Sequence, residues 1–320
     1  MKLFFTICCT LVVGMGFCQQ SYVLYSPDSS LRLEVKTGKQ LSYSLFAGVV
    51  QLMYSLAVDL ELNNGKKLSD QLAVKKSAYR KVKETVNVPV SYRRPAITEE
   101  YQQLRLQFQQ PFTIEFRMYN NGMAYRIGTD FKSDIIVENE TALFEMDPQS
   151  SVWFAHIDER LDMDRFHTSF EGAYKKETLS AIPDTMLTYA PLTATLPNGY
   201  LIAISDANLH DYPGMFLQKK KDGLQGVFAP YPLKEVMTEG EFPQLIVKER
   251  ANYIAQTSGT RMFPWRAVLV AKNDIDLVEN DLMYLLGDAT TLSNVSWIKP
   301  GKGTDEWITG INLFNVPFKA

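Results

Sequence analysis

Between Ser21 and about Ala271, apolar and polar positions alternate with a period of two in one short run after another. Residues 31–35 read LRLEV, 104–108 LRLQF, 112–119 FTIEFRMY and 200–205 YLIAIS. Such alternation puts the apolar side chains on one face of an extended chain, the pattern of an antiparallel strand lying on a core. Between the runs stand Asn63-Asn64-Gly65, Asn120-Asn121-Gly122, Pro197-Asn198-Gly199 and Lys221-Asp222-Gly223, which tolerate the positive φ of tight reversals. A helical pattern is weak and confined to residues 160–178. The region therefore predicts one large antiparallel β-sandwich without a fixed-period repeat.

The pattern changes at Asn273. Ile275, Leu277, Val278, Leu282, Leu285 and Leu286 are spaced as a short helix or tight connector, and a linker with Pro300 and Gly301 follows. The apolar run 308–318 comes next. A single strand makes no sheet, so this run either returns to the sandwich or opens a further domain near residue 300. The expected division is 1–18 as a signal peptide, 19–272 as the sandwich, 273–302 as connector and 303–320 as the start of a second domain.

Composition adds bounds. Of 320 residues, 46% are hydrophobic and 22% charged, enough to bury a sizeable core, and the net charge of −3 offers no basic surface for a phosphate backbone. Nucleic acid is not an expected partner. Lys219, Lys220 and Lys221 are followed by Asp222 and Gly223 and read as a solvated hairpin tip.

Lys2 precedes the apolar run LFFTICCTLVVGMGF, too short and too poorly flanked for a membrane span, and Gly16 and Cys18 stand where a signal peptidase reads small residues. Export with cleavage after Cys18 is expected, giving a secreted and periplasmic protein. Phe17 argues against lipidation of Cys18. Cys8, Cys9 and Cys18 all lie in this segment, so the mature chain is expected to hold no disulfide, thiol nucleophile or Cys-based zinc site.

The three histidines, His156, His167 and His210, fall in no H-E-x-x-H or H-x-H arrangement, which leaves a zinc or serine-triad reading little support. The acidic residues are more suggestive. Asp158, Glu159, Asp162, Asp164, Glu171 and Glu177 interleave with Phe166, Phe170 and Tyr174. Carboxylates with aromatics suit sugar or calcium sites, and equally a charged surface segment. The loop lacks the central glycine of an EF-hand. Trp265 and Arg266 read as core packing with a buried, paired guanidinium, and Asp206 as a structural hydrogen-bonding residue. On the residues alone, the chain is a secreted β-sandwich of carbohydrate-binding type.

Several segments together resemble the N-terminal part of glycoside hydrolase family 97, in the right order and over essentially the whole chain. They are SPDSSLRLEV, NNGMAYRIG, SFEGAY, APLT, ISDANLHDYPGM, MFPWRAVLVA and the closing WIKPGKGTDEWITGINLFNVPFKA. The resemblance implies a galactose mutarotase-like β-supersandwich followed by the first strand of a truncated (β/α)8 barrel. It implies a calcium-dependent α-glucosidase or α-galactosidase whose catalytic carboxylates lie in that barrel, the sandwich's intramolecular partner. No catalytic residue is then expected here. The sandwich is expected to give one calcium ligand, Glu171 of SFEGAY with Glu177 as the fallback. Leu192 and Thr193 of APLT, and Trp297, are expected near an oligosaccharide or glycoside substrate. Two other readings stand beside this one: a non-catalytic carbohydrate-binding sandwich, and an aldose-epimerase-like enzyme using a His and a Glu in the sandwich cleft.

Overall fold

The computed structural model describes residues 19–90, 92–157, 164–168, 170–221, 223–239 and 243–303. In chain order the first strands are β1 (Gln20–Tyr25), β2 (Leu31–Thr37), β3 (Leu41–Ala47), β4 (Val50–Leu62), β5 (Val74–Asn87), β6 (Ala96–Phe108) and β7 (Phe112–Tyr119). Then come β8 (Gly122–Asp130), β9 (Ile135–Glu145), β10 (Ser151–Ala155), β11 (Tyr174–Thr178), β12 (Leu187–Tyr189), β13 (Leu192–Thr195) and β14 (Leu201–Ala207). The last are β15 (Met215–Lys220), β16 (Gly223–Phe228), β17 (Pro232–Met237), β18 (Leu245–Arg250), β19 (Ala255–Thr257), β20 (Thr260–Met262) and β21 (Trp265–Ala271). Three of the four runs that alternate in the sequence lie within these strands, FTIEFRMY coinciding with β7, and YLIAIS enters β14 after its first residue.

Two large antiparallel sheets form the sandwich. The first has nine strands, in the order β1-β2-β3-β4-β9-β16-β15-β12 with β19 also paired to β9. The second has ten, β11-β10-β13-β14-β21-β8-β7-β6-β5 with β20 also paired to β8. β17 and β18 form a separate two-stranded ribbon. One core joins the sheets, with Leu33, Leu45, Leu60 and Phe144 from the first against Ile114, Phe116, Phe154 and Val268 from the second. Removing these side chains from water is the main favourable contribution to the fold.

A second, smaller apolar cluster lies on the other face of the ten-stranded sheet. Trp265, Ala267 and Leu269 of β21 and Ala203 and Ala207 of β14 are covered there by Leu282 and Leu286. These leucines belong to α2 (Leu282–Leu286), which follows α1 (Asp274–Val278). The Asn273 side chain caps α1 by accepting the Asp276 N–H at 3.0 Å. Asn280 donates to the Asn121 carbonyl at 2.8 Å, fixing the connector to the turn between β7 and β8. In that turn Gly122 is essential for space, because a Cβ there would lie 2.6 Å from the Val268 carbonyl oxygen and 2.9 Å from Leu282 Cδ2.

Two sequence expectations need correction. Residues 164–168 and 170–178 contain no helix, and 174–178 is strand β11. The fourfold spacing of Phe166, Phe170 and Tyr174 imitates a helical face, but Phe170 has φ 53° and the rings collect on neighbouring strands. Nor is the lysine run wholly solvated. Lys219 is 3% exposed, donating to Asp184 at 3.1 Å and to the Lys221 carbonyl, because its place in β15 points it beneath the loop carrying Asp184.

Chain contacts divide the protein into two units, residues 1–82 with 100–287, and residues 83–99 with 288–320. Everything above except the far end of the β5–β6 hairpin belongs to the first unit. In the second, the Val88 N–H donates to the Pro95 carbonyl at 2.9 Å, closing that hairpin end, and residues 288–303 carry no regular element. The signal-peptide reading and the barrel-strand run 308–318 lie outside the described residues.

Candidate functional site

One straight row of paired residues crosses the ten-stranded sheet. Lys176 opposes Trp153, Trp153 opposes Thr193, Thr193 opposes Ala203, and Ala203 opposes Leu269. Directly paired residues share a face, so Thr193 lies on the same outer face as Trp153, whose indole is 46% exposed. The Lys176 ammonium stands 5.8 Å from that ring. Leu192 points the opposite way and is fully buried in the core. Of the APLT pair, therefore, only Thr193 offers a side chain to a ligand on this face.

Next to this sheet edge the segment that begins at Asp164 folds into an aromatic cluster. The Phe216 ring lies 5.2 Å from Phe166 and 5.8 Å from Phe170; Tyr189 lies 5.5 Å from Phe170 and 5.7 Å from Tyr174. The Tyr189 hydroxyl donates to the Phe170 carbonyl at 2.8 Å, holding the loop in its left-handed bend. Glu171 comes directly after this bend and is exposed. Burial, aided by the hydrogen bond and proximity of Tyr189, pushes the Tyr174 hydroxyl up to about 12.

Two further carboxylates of the segment, Asp164 and Glu177, have protein partners. Asp164 takes two hydrogen bonds from Arg250, at 2.6 and 3.1 Å, and one from the Phe166 N–H at 2.9 Å. Partial burial pushes its carboxyl up, but these donors outweigh burial and hold it below the usual range. Glu177 meets the His156 ring at 2.5 Å. That direct contact leaves no space for a sugar ring between the two, as a paired acid and base acting on one substrate would need. Asp158, Glu159 and Asp162 lie outside the described residues.

A calcium ion takes six to eight oxygen ligands, and the described residues hold no cluster of three or more carboxylate, imidazole or thiol groups. They do not form a calcium cage. Glu171 is available as a single ligand, whereas Glu177 is engaged by His156. Trp297 is 70% exposed, its indole N–H donating to the Asn294 carbonyl at 3.2 Å.

Behind this face, Arg266 lies in the core with 1% exposure. It donates to both oxygens of Glu140, at 2.7 and 2.8 Å, and more distantly to Asp206 at 3.4 Å. Burial works against its charge, but Glu140 outweighs burial and raises the guanidinium's pKa. Asp206 also accepts the Met215 N–H at 2.7 Å, which bears out its structural role, and burial pushes its carboxyl up. On the outer face, Arg117 and Arg126 stand 4.6 and 4.2 Å from the Trp265 ring. Trp265 and Arg266 thus serve packing and pairing, as the sequence suggested.

The model of the glycosyl-hydrolase 97 N-terminal family matches residues 24–288. The chain belongs to that family. It is 31% identical over 322 residues to a retaining α-galactosidase of Bacteroides thetaiotaomicron, a match covering 99% of this chain and 48% of that protein. The chain thus spans about half the length of this curated relative. Among solved structures, a glycoside hydrolase family 97 enzyme from Pseudoalteromonas sp. strain K8, in complex with acarbose, superposes with a TM-score of 0.73 at 19% identity, covering 88% of this chain and 40% of that one. A β-arabinopyranosidase superposes with a TM-score of 0.64 at 17% identity, covering 79% and 40%. At these identities the two structures show the fold alone, the antiparallel β-sandwich described above. Sequence reasoning missed Trp153, Tyr189 and Phe216, which come from separate strands; the signal that could have found Trp153 was its outward position in the alternating run SVWFA.

Proposed function

We propose that this chain is the sandwich part of a secreted, periplasmic, calcium-dependent α-glycosidase that removes terminal α-linked sugars, with α-galactosides the first substrate class to test. The observation that carries the reading is the 31% identity to a retaining α-galactosidase across 99% of the chain. The local chemistry agrees with it, since Glu171 is an exposed carboxylate on a loop braced by five aromatic rings.

In this reading the catalytic carboxylates come from a barrel docked against the sandwich. Glu171 contributes one oxygen to a cation shared between the two, and Thr193 and Trp297 lie on the substrate side. Bound calcium supplies Lewis acidity toward the attacking water. The sandwich residues hold and orient: Tyr189 fixes the loop that presents Glu171, and Thr193 offers a hydroxyl.

The test is hydrolysis of nitrophenyl α-galactoside and α-glucoside by the full-length gene product, with and without chelator. Hydrolysis is expected, lost on chelation and restored by calcium, and Glu171→Gln should raise the calcium needed for half-activity about tenfold. Activity indifferent to chelation would remove calcium from the reading. Absence of α-glycoside hydrolysis would remove the glycosidase.

A further inference from the structure

A cleft of about 470 Å³ opens beside the β17–β18 ribbon, and none of Glu171, Leu192, Thr193 or Trp297 lines it. One wall is Tyr231, 38% exposed, stacked on Tyr253 with ring centroids 5.5 Å apart and planes at 26°. The two backbones clamp each other: the Tyr231 N–H donates to the Tyr253 carbonyl at 2.8 Å, and the Ala251 N–H to the Tyr231 carbonyl at 2.9 Å. Tyr253 faces a second cleft of about 270 Å³, so the stacked pair is a partition with a hollow on either side.

Asp211, Tyr212 and Pro213 of the ISDANLHDYPGM segment also line the larger cleft, and the glycosidase reading gives them no role. Arg261 holds this segment by donating to the carbonyls of His210 at 2.6 Å and Asp211 at 3.2 Å. Asp211, Gln256 and Ser258 bring a carboxylate, an amide and a hydroxyl to the lining, all exposed. Arg250 also lines it, but its charge is met by Asp164.

We propose that this cleft is a binding site for a neutral mono- or disaccharide. A flat, rigid, half-exposed ring suits the apolar face of a pyranose, and flanking groups that donate and accept suit its hydroxyls. A phosphate or carboxylate ligand is disfavoured, because the arginine in the lining, Arg250, is paired with Asp164, and Arg261 is turned to the loop carbonyls of His210 and Asp211. Ring and loop are both held by the backbone contacts above, so little ordering opposes binding.

The experiment is saturation-transfer NMR and calorimetry on this chain with melibiose and maltose as probes, a choice of sugars that rests on the glycosidase reading. Binding is expected at roughly millimolar affinity. Tyr231→Ala should weaken it about tenfold, the loss of one stacking platform. Gln256→Ala, an exposed position whose change should leave thermal unfolding untouched, should also weaken it, while Glu171→Gln and Trp297→Ala should not. No saturation transfer to either sugar would overturn the proposal. So would binding that survives both cleft substitutions and is lost on Glu171→Gln or Trp297→Ala. Hydrolysis by the full-length product reads the glycosidase proposal separately: Tyr231-dependent binding without hydrolysis leaves the cleft standing and the enzyme reading fallen, and hydrolysis without cleft binding the reverse.

Discussion

Arg266 and Glu140 form a two-pronged ion pair across the sandwich, the guanidinium rising from β21 in one sheet and the carboxylate from β9 in the other. Both are almost wholly buried, at 1% and 3% exposure. The Phe228 ring lies 4.7 Å from the guanidinium, so protein rather than water surrounds the pair.

Removing one partner strands a charge in a low-dielectric interior, and Glu140→Leu alone should cost about 3–5 kcal/mol. The double variant Glu140→Leu with Arg266→Met should be more stable than either single change, since both charges of the two-pronged pair then leave together; Asp206 loses its more distant contact with Arg266 but keeps the Met215 N–H. Urea unfolding of the three variants measures this. Additive losses would mean that the pair does not act as a unit.

Gly122→Ala should destabilise by about 1–3 kcal/mol, because the new methyl meets a backbone oxygen that cannot swing aside. Thermal and urea midpoints report the loss. An unchanged midpoint would contradict the close seating of α2 on the β7–β8 turn.

Asp164 gives an acid-side prediction. Burial raises its carboxyl pKa, the Phe166 N–H and Arg250 lower it more, and the net value lies below the ordinary one. A group depressed in this way adds stability above its unfolded pKa of about 3.9, and the stability is lost as pH falls through the folded value. Asp164→Asn should therefore be less stable than the parent at neutral pH, with the gap closing below about pH 4. A gap independent of pH would show that charge is not what Arg250 recognises.

Tyr174 gives the alkaline counterpart. Its hydroxyl stays protonated up to about 12 in the folded protein, against about 10 in an unfolded chain. The contribution is fully present below the unfolded value and declines as pH rises from one to the other. Tyr43, Tyr125 and Tyr212 also ionise late, so the measurement is the difference between ultraviolet titrations: Tyr174→Phe should lose one late-ionising phenol, and the variant should lack that part of the alkaline stability loss.

The strands were legible because period-two alternation and turn residues are local signals. FTIEFRMY reads as a strand from its own letters. What was not legible depends on residues brought together from far along the chain. Arg266 can be read as a buried cation, but its partner is 126 residues away, and nothing in MFPWRAVLVA names Glu140. The fourfold spacing of Phe166, Phe170 and Tyr174 misled because aromatic rings gathered on Phe216 and Tyr189 can mimic a helix face. Lys219 looked solvated for lack of any local sign that Asp184 would reach it. At the candidate site, Glu171 could be picked out by resemblance, whereas Trp153 beside Thr193 follows only from strand register.

The row from Lys176 through Trp153 and Thr193 to Leu269 also acts on the gene. Each residue in it keeps its face only while its strand keeps its length, since one extra residue in β13 would turn Thr193 inward and drive Leu192 out. Insertions and deletions compatible with a working protein should thus be confined to the loops, and the strands that carry this row should change by substitution alone.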